Sequence, residues 1–188
     1  PLNRQVYNLL IYIKKIKSLS DKPLVLVLTG GSPIAIPELH DLVEAVLFVW
    51  YPGEEGGNAV ADVIFGDIPP SGKLPITFPK SIEQLPPYED YNMKGRTYKY
   101  MTEEPQYPFG FGLTYSTFDY TDLSTDENYK TTVNVTNSGN IDSEEVVQLY
   151  ISSPLAGKED PIYDLKAFKI VFIKAGETKT ITFNLTKD

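Results

Sequence analysis

Apolar residues recur along this chain with two periods, one helical and one of strands. Val6, Leu9, Leu10, Ile13 and Ile16 fall at helical spacing with Lys14, Lys15 and Lys17 among them. A helix is expected there, with the lysines on a solvated face near its end. Asp21-Lys22-Pro23 breaks it, and Leu24–Thr29 is continuously apolar, as a strand would be. Ala45–Trp50 is a second such run, expected to form a strand buried on both faces. After a polar bend, Val60, Val63 and Ile64 return to helical spacing, and Gly66 suits the position just past a helix end. Helix, tight turn and strand in this order fit a mostly parallel sheet. Between the two strand runs, Glu38, Asp41 and Glu44 read as the solvated face of a short segment.

Further on the pattern loosens. Asp67 to Lys80 carries Pro69, Pro70, Pro75 and Pro79, so an extended wrapping loop is expected rather than a helix. Tyr98 and Tyr100 alternate as in a half-buried strand, and packing is the common role of such tyrosines. Tyr107–Gly112 is too aromatic and glycine-rich for a regular element and reads as a packed crossover that ends a first module. From about Ser116 short strand patterns follow at Thr131–Thr136, Val146–Ser152, Phe168–Ile173 and Thr178–Leu185, separated by turns. The fold class expected is therefore α/β over residues 1–115, followed by an all-β sandwich over 116–188. The sequons at Asn134 and Asn184 lie in threonine-rich strands and carry no conclusion.

The candidate chemistry sits in Tyr51-Pro52-Gly53-Glu54-Glu55-Gly56-Gly57-Asn58. In open α/β sheets, ligands bind where loops leave the carboxyl ends of the strands, and this bend has that placement. Its glycines open dihedrals closed to other residues and let a ligand approach the backbone. A carboxyl held there serves as a general acid if its pKa is raised. The helix start favours the ionised form, so burial or a facing carboxylate must push the other way. Two carboxyls flanking a glycosidic bond are what glycoside hydrolysis requires. On spacing alone, a solvated turn whose glutamates complement the helix dipole explains the same residues.

Composition narrows the field. The chain has 188 residues, 41% of them apolar and 12% aromatic, enough for a core in one domain or two small ones. A net charge of −8 argues against nucleic acid or an anionic membrane as the main partner, and no run approaches the ~20 apolar residues of a membrane span. Without cysteine, thiol catalysis and thiolate metal sites are excluded, and the lone His40 rules out multi-histidine metal sites. No metal or cofactor is expected. Gly30-Gly31-Ser32-Pro33 follows a strand but lacks the lysine of a phosphate loop, and Pro33 removes one backbone donor.

The stretch WYPGEEGGNAVADVIFGDIPPSGKLPITFP (Trp50 to Pro79) closely resembles the C-terminal α/β sandwich domain of glycoside hydrolase family 3, which includes β-glucosidases and β-xylosidases. GRTYKYM (Gly95–Met101), YPFGFGLTYSTF (Tyr107–Phe118), VTNSGNIDSEEVVQLYIS (Val135–Ser152) and KAGETKTITFNL (Lys174–Leu185) continue the likeness in order. The resemblance implies a partial α/β sandwich followed by a fibronectin type III-like domain. It makes Glu55, the second residue after the loop's first glycine, the general acid/base, and leaves Glu54 without a role. Tyr51, Gly53, Arg96 and Tyr98 are the substrate-binding candidates. The substrate implied is a terminal β-linked sugar of an oligosaccharide or glycoside, cleaved with retention, and the family points to a secreted or periplasmic enzyme.

The same resemblance implies a β/α barrel whose aspartate, in a serine-aspartate-tryptophan context, is the nucleophile. Ser20-Asp21 is followed by Lys22 and is no substitute. The chain is thus expected to be the C-terminal portion of a larger enzyme, inactive alone. Its sandwich is expected to be truncated, since that fold needs about 100 residues and 116–188 supplies fewer. Two other classes stay open: a carbohydrate-binding module stacking Trp50, Tyr51 or Tyr98 on sugars, and a structural fragment that docks on a barrel through an exposed apolar face.

Overall fold

The computed structural model describes residues 4–155, 157 and 159–186, and the side chains of Val6, Tyr7, Leu10 and Glu38 fall outside the described residues. Helix α1 (Arg4–Leu19) leads into strand β1 (Val25–Leu28), the short helix α2 (Pro37–His40), strand β2 (Ala45–Phe48) and helix α3 (Gly56–Phe65). β1 and β2 pair in parallel, Val25 opposite Ala45 and Leu28 opposite Phe48. One face of this pair is covered: Ile13, Ile36 and Leu39 are buried, with Leu24, Leu26, Leu28 and Val46 packed against them. The other face is not, since Val25 and Val27 are 37% and 41% exposed. Burial on both faces, expected of β2 from its unbroken apolar run, is therefore not found: Ala45 is exposed and Val46, Leu47 and Phe48 are half-buried. Apolar runs record what a strand is able to bury, and the described residues supply one covering layer.

Glu44 does more than face solvent. Its carboxylate accepts hydrogen bonds from Lys17 Nζ and from the Leu24 backbone N–H, the latter at 2.7 Å, and so ties the end of α1 to the start of β1. The Lys17 hydrogen bond, then the Leu24 N–H, holds this carboxyl below its ordinary pKa.

After α3 the chain runs as a strap without regular structure from Asp67 to Lys80, then makes one turn of 3-10 helix and the short helix α4 (Thr97–Tyr100). Tyr98 and Tyr100 thus lie on a helical turn. The packing role holds for Tyr98, which stacks on Phe109 with ring centroids 4.2 Å apart.

The second part is a sandwich of two antiparallel sheets. β3 (Phe118–Thr125), β4 (Lys130–Asn137) and β7 (Thr178–Asn184) form one; β5 (Ser143–Ile151) and β6 (Asp164–Ile173) form the other. The core between them holds Val133, Val135, Val147, Ile173, Ile181 and Phe183, residues of the kind whose full burial stabilises by about 1.5–3 kcal/mol each. Asn137 is fully buried and fully paired: its amide donates to the carbonyls of Ile141 and Ile173, each at 2.9 Å, and its oxygen accepts from Ser116 Oγ and Gly139 N–H. The two parts meet through the rings of Tyr98, Phe109, Tyr150 and Tyr163. A Lys99–Asp164 ion pair at 2.5 Å joins the same contact.

Candidate functional site at the carboxyl end of β2

The bend between β2 and α3 is shaped by its own residues. Trp50 leaves the strand with φ +52, a left-handed backbone uncommon for a bulky side chain. Its carbonyl accepts from Gly30 N–H at 3.2 Å and from the Thr29 hydroxyl, which fastens the bend to the loop after β1. Its ring packs on Phe48 and Phe78, with centroids 4.5 and 6.2 Å away. That packing leaves Trp50 half-buried among aromatics. Gly53 turns the chain with φ +73, and Gly56 N–H closes back on the Gly53 carbonyl at 3.3 Å. Gly56 is buried under Pro52: a Cβ on it would stand 2.5 Å from the proline Cγ.

Glu55 occupies the N-cap of α3 and Ala59 N–H donates to its carbonyl at 3.0 Å, so its backbone begins the helix. Its side chain does not cap. The carboxylate is exposed and accepts a hydrogen bond from Asn58 Nδ2 at 2.5 Å. Asn58 was not singled out from the sequence, although three residues past an N-cap is one helical turn away and within reach. Glu54 is exposed beside it. Tyr51 is 79% exposed, yet its ring lies against Gly31, where a Cβ would come within 2.9 Å. Tyr51, Gly53 and Glu55 therefore share one surface bend.

Arg96 and Tyr98 lie elsewhere. The Arg96 guanidinium donates to the carbonyls of Pro87 and Asn92 at 3.1 Å and of Asp90 at 2.5 Å, knitting the 87–96 loop together. The Tyr98 hydroxyl accepts from Leu165 N–H at 3.2 Å. Both line an apolar groove of about 560 Å³ with Pro33, Ala35, Thr77 and Met101. The groove is linked to the Glu55 bend by the loop after β1, which supplies Pro33 to the groove and Gly31 to Tyr51. Among the described residues no group of three or more His, Cys, Asp or Glu is placed to hold a metal, and no helix is long and apolar enough to cross a membrane.

A parallel strand pair, a glycine-bent loop at its carboxyl end and an exposed carboxylate at the following helix cap make a candidate site on an α/β domain that is followed by a β-sandwich. The chain belongs to glycosyl hydrolase family 3: the family's C-terminal domain model matches residues 10–115, and a fibronectin type III-like domain model matches 145–188. It is 43% identical over 182 residues to a xylan 1,4-beta-xylosidase of Xylanibacter ruminicola, covering 94% of this chain and 21% of that protein. To a periplasmic beta-glucosidase of Salmonella typhimurium it is 41% identical, covering 86% of this chain and 24% of the relative. Beta-glucosidase 3B from Thermotoga neapolitana, solved in complex with alpha-D-glucose, superposes with a TM-score of 0.87 at 32% identity, over 97% of this chain and 28% of that one. The chain thus spans about a quarter of the length of the curated relatives it matches.

Proposed function

We propose that this chain supplies the general acid/base of a retaining, exo-acting β-glycosidase acting on terminal β-linked glucose or xylose, with Glu55 as that group. The observation that carries the reading is the Glu55 carboxylate itself: exposed, on a bend fixed by Pro52, Gly53 and Gly56, at the carboxyl end of a parallel strand, in a chain of family 3. In this mechanism an aspartate of a β/α barrel outside the chain attacks the anomeric carbon while Glu55 protonates the departing oxygen. Glu55 then takes a proton from the water that releases the sugar. Retention needs the two carboxyls about 5–5.5 Å apart.

Asn58, donating to the Glu55 carboxylate, restrains its rotamer. Tyr51 and Gly53 are the proposed direct sugar contacts. Arg96, whose Nε and Nη2 donate to backbone carbonyls, and Tyr98, whose hydroxyl accepts from Leu165 N–H and donates to Asp164, enter this reading as the wall of the adjoining groove. The module boundary is placed at 115/116, and export to the periplasm or outside the cell fits the relative named as periplasmic.

The test is leaving-group dependence in the barrel-containing enzyme. Glu55→Gln should slow poor leaving groups by about 10²–10⁴-fold, the usual contribution of general acid–base catalysis, while dinitrophenyl glycosides, which need no proton, remain fast in forming the glycosyl-enzyme. Equal rates for Glu55→Gln and wild type on a poor leaving group sink the assignment. This chain alone should hydrolyse no aryl β-glucoside or β-xyloside, and turnover that disappears in Glu55→Ala would refute the need for a barrel. For the isolated chain a second reading, docking, is favoured by exposed apolar residues: Val25 and Val27 on the uncovered face of β1, and Leu9, Ile11 and Tyr12 on α1.

A further inference from the structure

We infer that the β-sandwich anchors the Glu55 helix from behind, through Lys73 inserted against Glu145 and through Tyr115 bonded to the helix end. Glu145 is an inward position of β5 between the buried Ser143 and Val147, and is only 7% exposed. An unpaired carboxylate there is strongly unfavourable. It is paired from two sides: the Tyr120 hydroxyl donates to Oε1 at 3.0 Å, and Lys73 Nζ lies 3.4 Å from Oε2, the lysine and glutamate side chains being 16% and 9% exposed. Burial, then the charge of Glu145, pushes the Tyr120 phenol upward in pKa, so it remains a donor.

Lys73 does not belong to the sandwich. It lies on the strap that continues from α3, and its ammonium also donates to the Gly112 carbonyl at 2.8 Å. The strap is held along its length: Leu74 N–H to Phe111, Gly110 N–H to Leu74 and Phe78 N–H to Tyr107, each at 2.8 Å. A Cβ on Gly112 would stand 2.1 Å from the Gly72 carbonyl oxygen, so the strands of this clasp touch backbone to backbone. Ser71 Oγ reaches Glu144 at 3.4 Å. From the same crossover, Tyr115 donates its hydroxyl proton to the Val63 carbonyl in the last turn of α3.

The helix that begins at Glu55 is therefore fixed at its far end by groups whose own positions depend on the sandwich. Lys73, Glu145 and Tyr115 are positioning residues; their functional meaning rests on Glu55 being the acid/base. Amide exchange by mass spectrometry on this chain tests the anchoring. Tyr115→Phe should speed exchange in 56–66 by about fivefold, the factor one tertiary hydrogen bond is worth, and leave β4 and β7 unchanged. The pair Lys73→Met with Glu145→Gln, which strands no buried charge, should speed 56–66 and 67–80 together, while Lys73→Arg, which keeps the cation, should keep both slow. Unchanged exchange in 56–66 in both Tyr115→Phe and the double variant overturns the inference, as does equal loosening in Lys73→Arg. Neither outcome depends on the chemistry of Glu55, and a fully active Glu55→Gln enzyme would leave the anchoring standing.

Discussion

Two adjacent glycines in the candidate loop should respond to alanine in opposite directions. At Gly56 a Cβ would lie 2.5 and 2.6 Å from Cγ and Cβ of Pro52, where carbon atoms in contact sit about 3.5–4.0 Å apart. The ring must move by about 1 Å, and it is not the far end of a flexible side chain, since proline is locked into the backbone. Relief comes only by opening the bend, at an overpacking cost of about 1–3 kcal/mol. At Gly57 nothing lies within 4 Å of the added methyl, and the residue is exposed in the first turn of α3. Gly57→Ala should gain up to about 1 kcal/mol in helix propensity. Urea unfolding of the chain, followed by circular dichroism, reads both. With a slope of about 1–3 kcal/mol/M, Gly56→Ala should lower the midpoint by about 1 M and Gly57→Ala should raise it slightly. Midpoints that move together, or a Gly56→Ala variant as stable as wild type, would show that Pro52 does not clamp the bend.

Other variants probe the framework. Asn137→Ala removes the buried amide that bonds the carbonyls of Ile141 and Ile173 and the N–H of Gly139, so unfolding should show a loss of about 1–3 kcal/mol; a loss below about 0.5 kcal/mol counts against the network. Hydrogen bonds from Lys99 and then Lys166 hold the Asp164 carboxyl below its ordinary pKa, and Asp164 in turn raises that of Lys99. A carboxyl depressed in the folded state stabilises above its unfolded pKa and loses that contribution as pH falls through the folded value. Asp164→Asn should therefore be less stable than wild type at neutral pH, and the gap should close below about pH 4; a gap that widens in acid refutes the pairing.

Much of this architecture could be read residue by residue. The alternation in β4 and β7 was visible because these two strands pair with one another without a slip. β3 was not, because its pairing with β4 shifts between Thr121 and Ser124 around Asp122, whose φ of +55 puts Leu123 out of phase with Phe118 and Tyr120. Tyr98 and Tyr100 carried a strand-like alternation, but Thr97 enters at φ +55 and starts a helical turn. The glycine bend was legible because it is made by near neighbours, whereas Glu55 was singled out on it only by the family resemblance. Lys73 and Glu145, 72 positions apart by their numbers (145 − 73), left no local signal, since a lone lysine in a proline-rich loop reads as a solvated charge.

The direction of Glu55 is nonetheless not a purely local property. The left-handed backbone of Trp50 belongs to a class of conformations that cost about 1–3 kcal/mol and persist only where the surroundings over-determine them. Here the surroundings are the aromatic contacts of Trp50 with Phe48 and with Phe78, which is itself 2% exposed and bridged to Tyr107. Phe78 sits on the strap, the same segment that carries Lys73 into the sandwich. The start of the bend is thus braced by the aromatic ring of this stretch of chain, while its half-buried Lys73 ties the segment leaving α3 to the sandwich and Tyr115 bonds the helix end. A bend held at both ends in this way presents its carboxylate along a fixed direction without burying it, which suits the acid/base role proposed for Glu55.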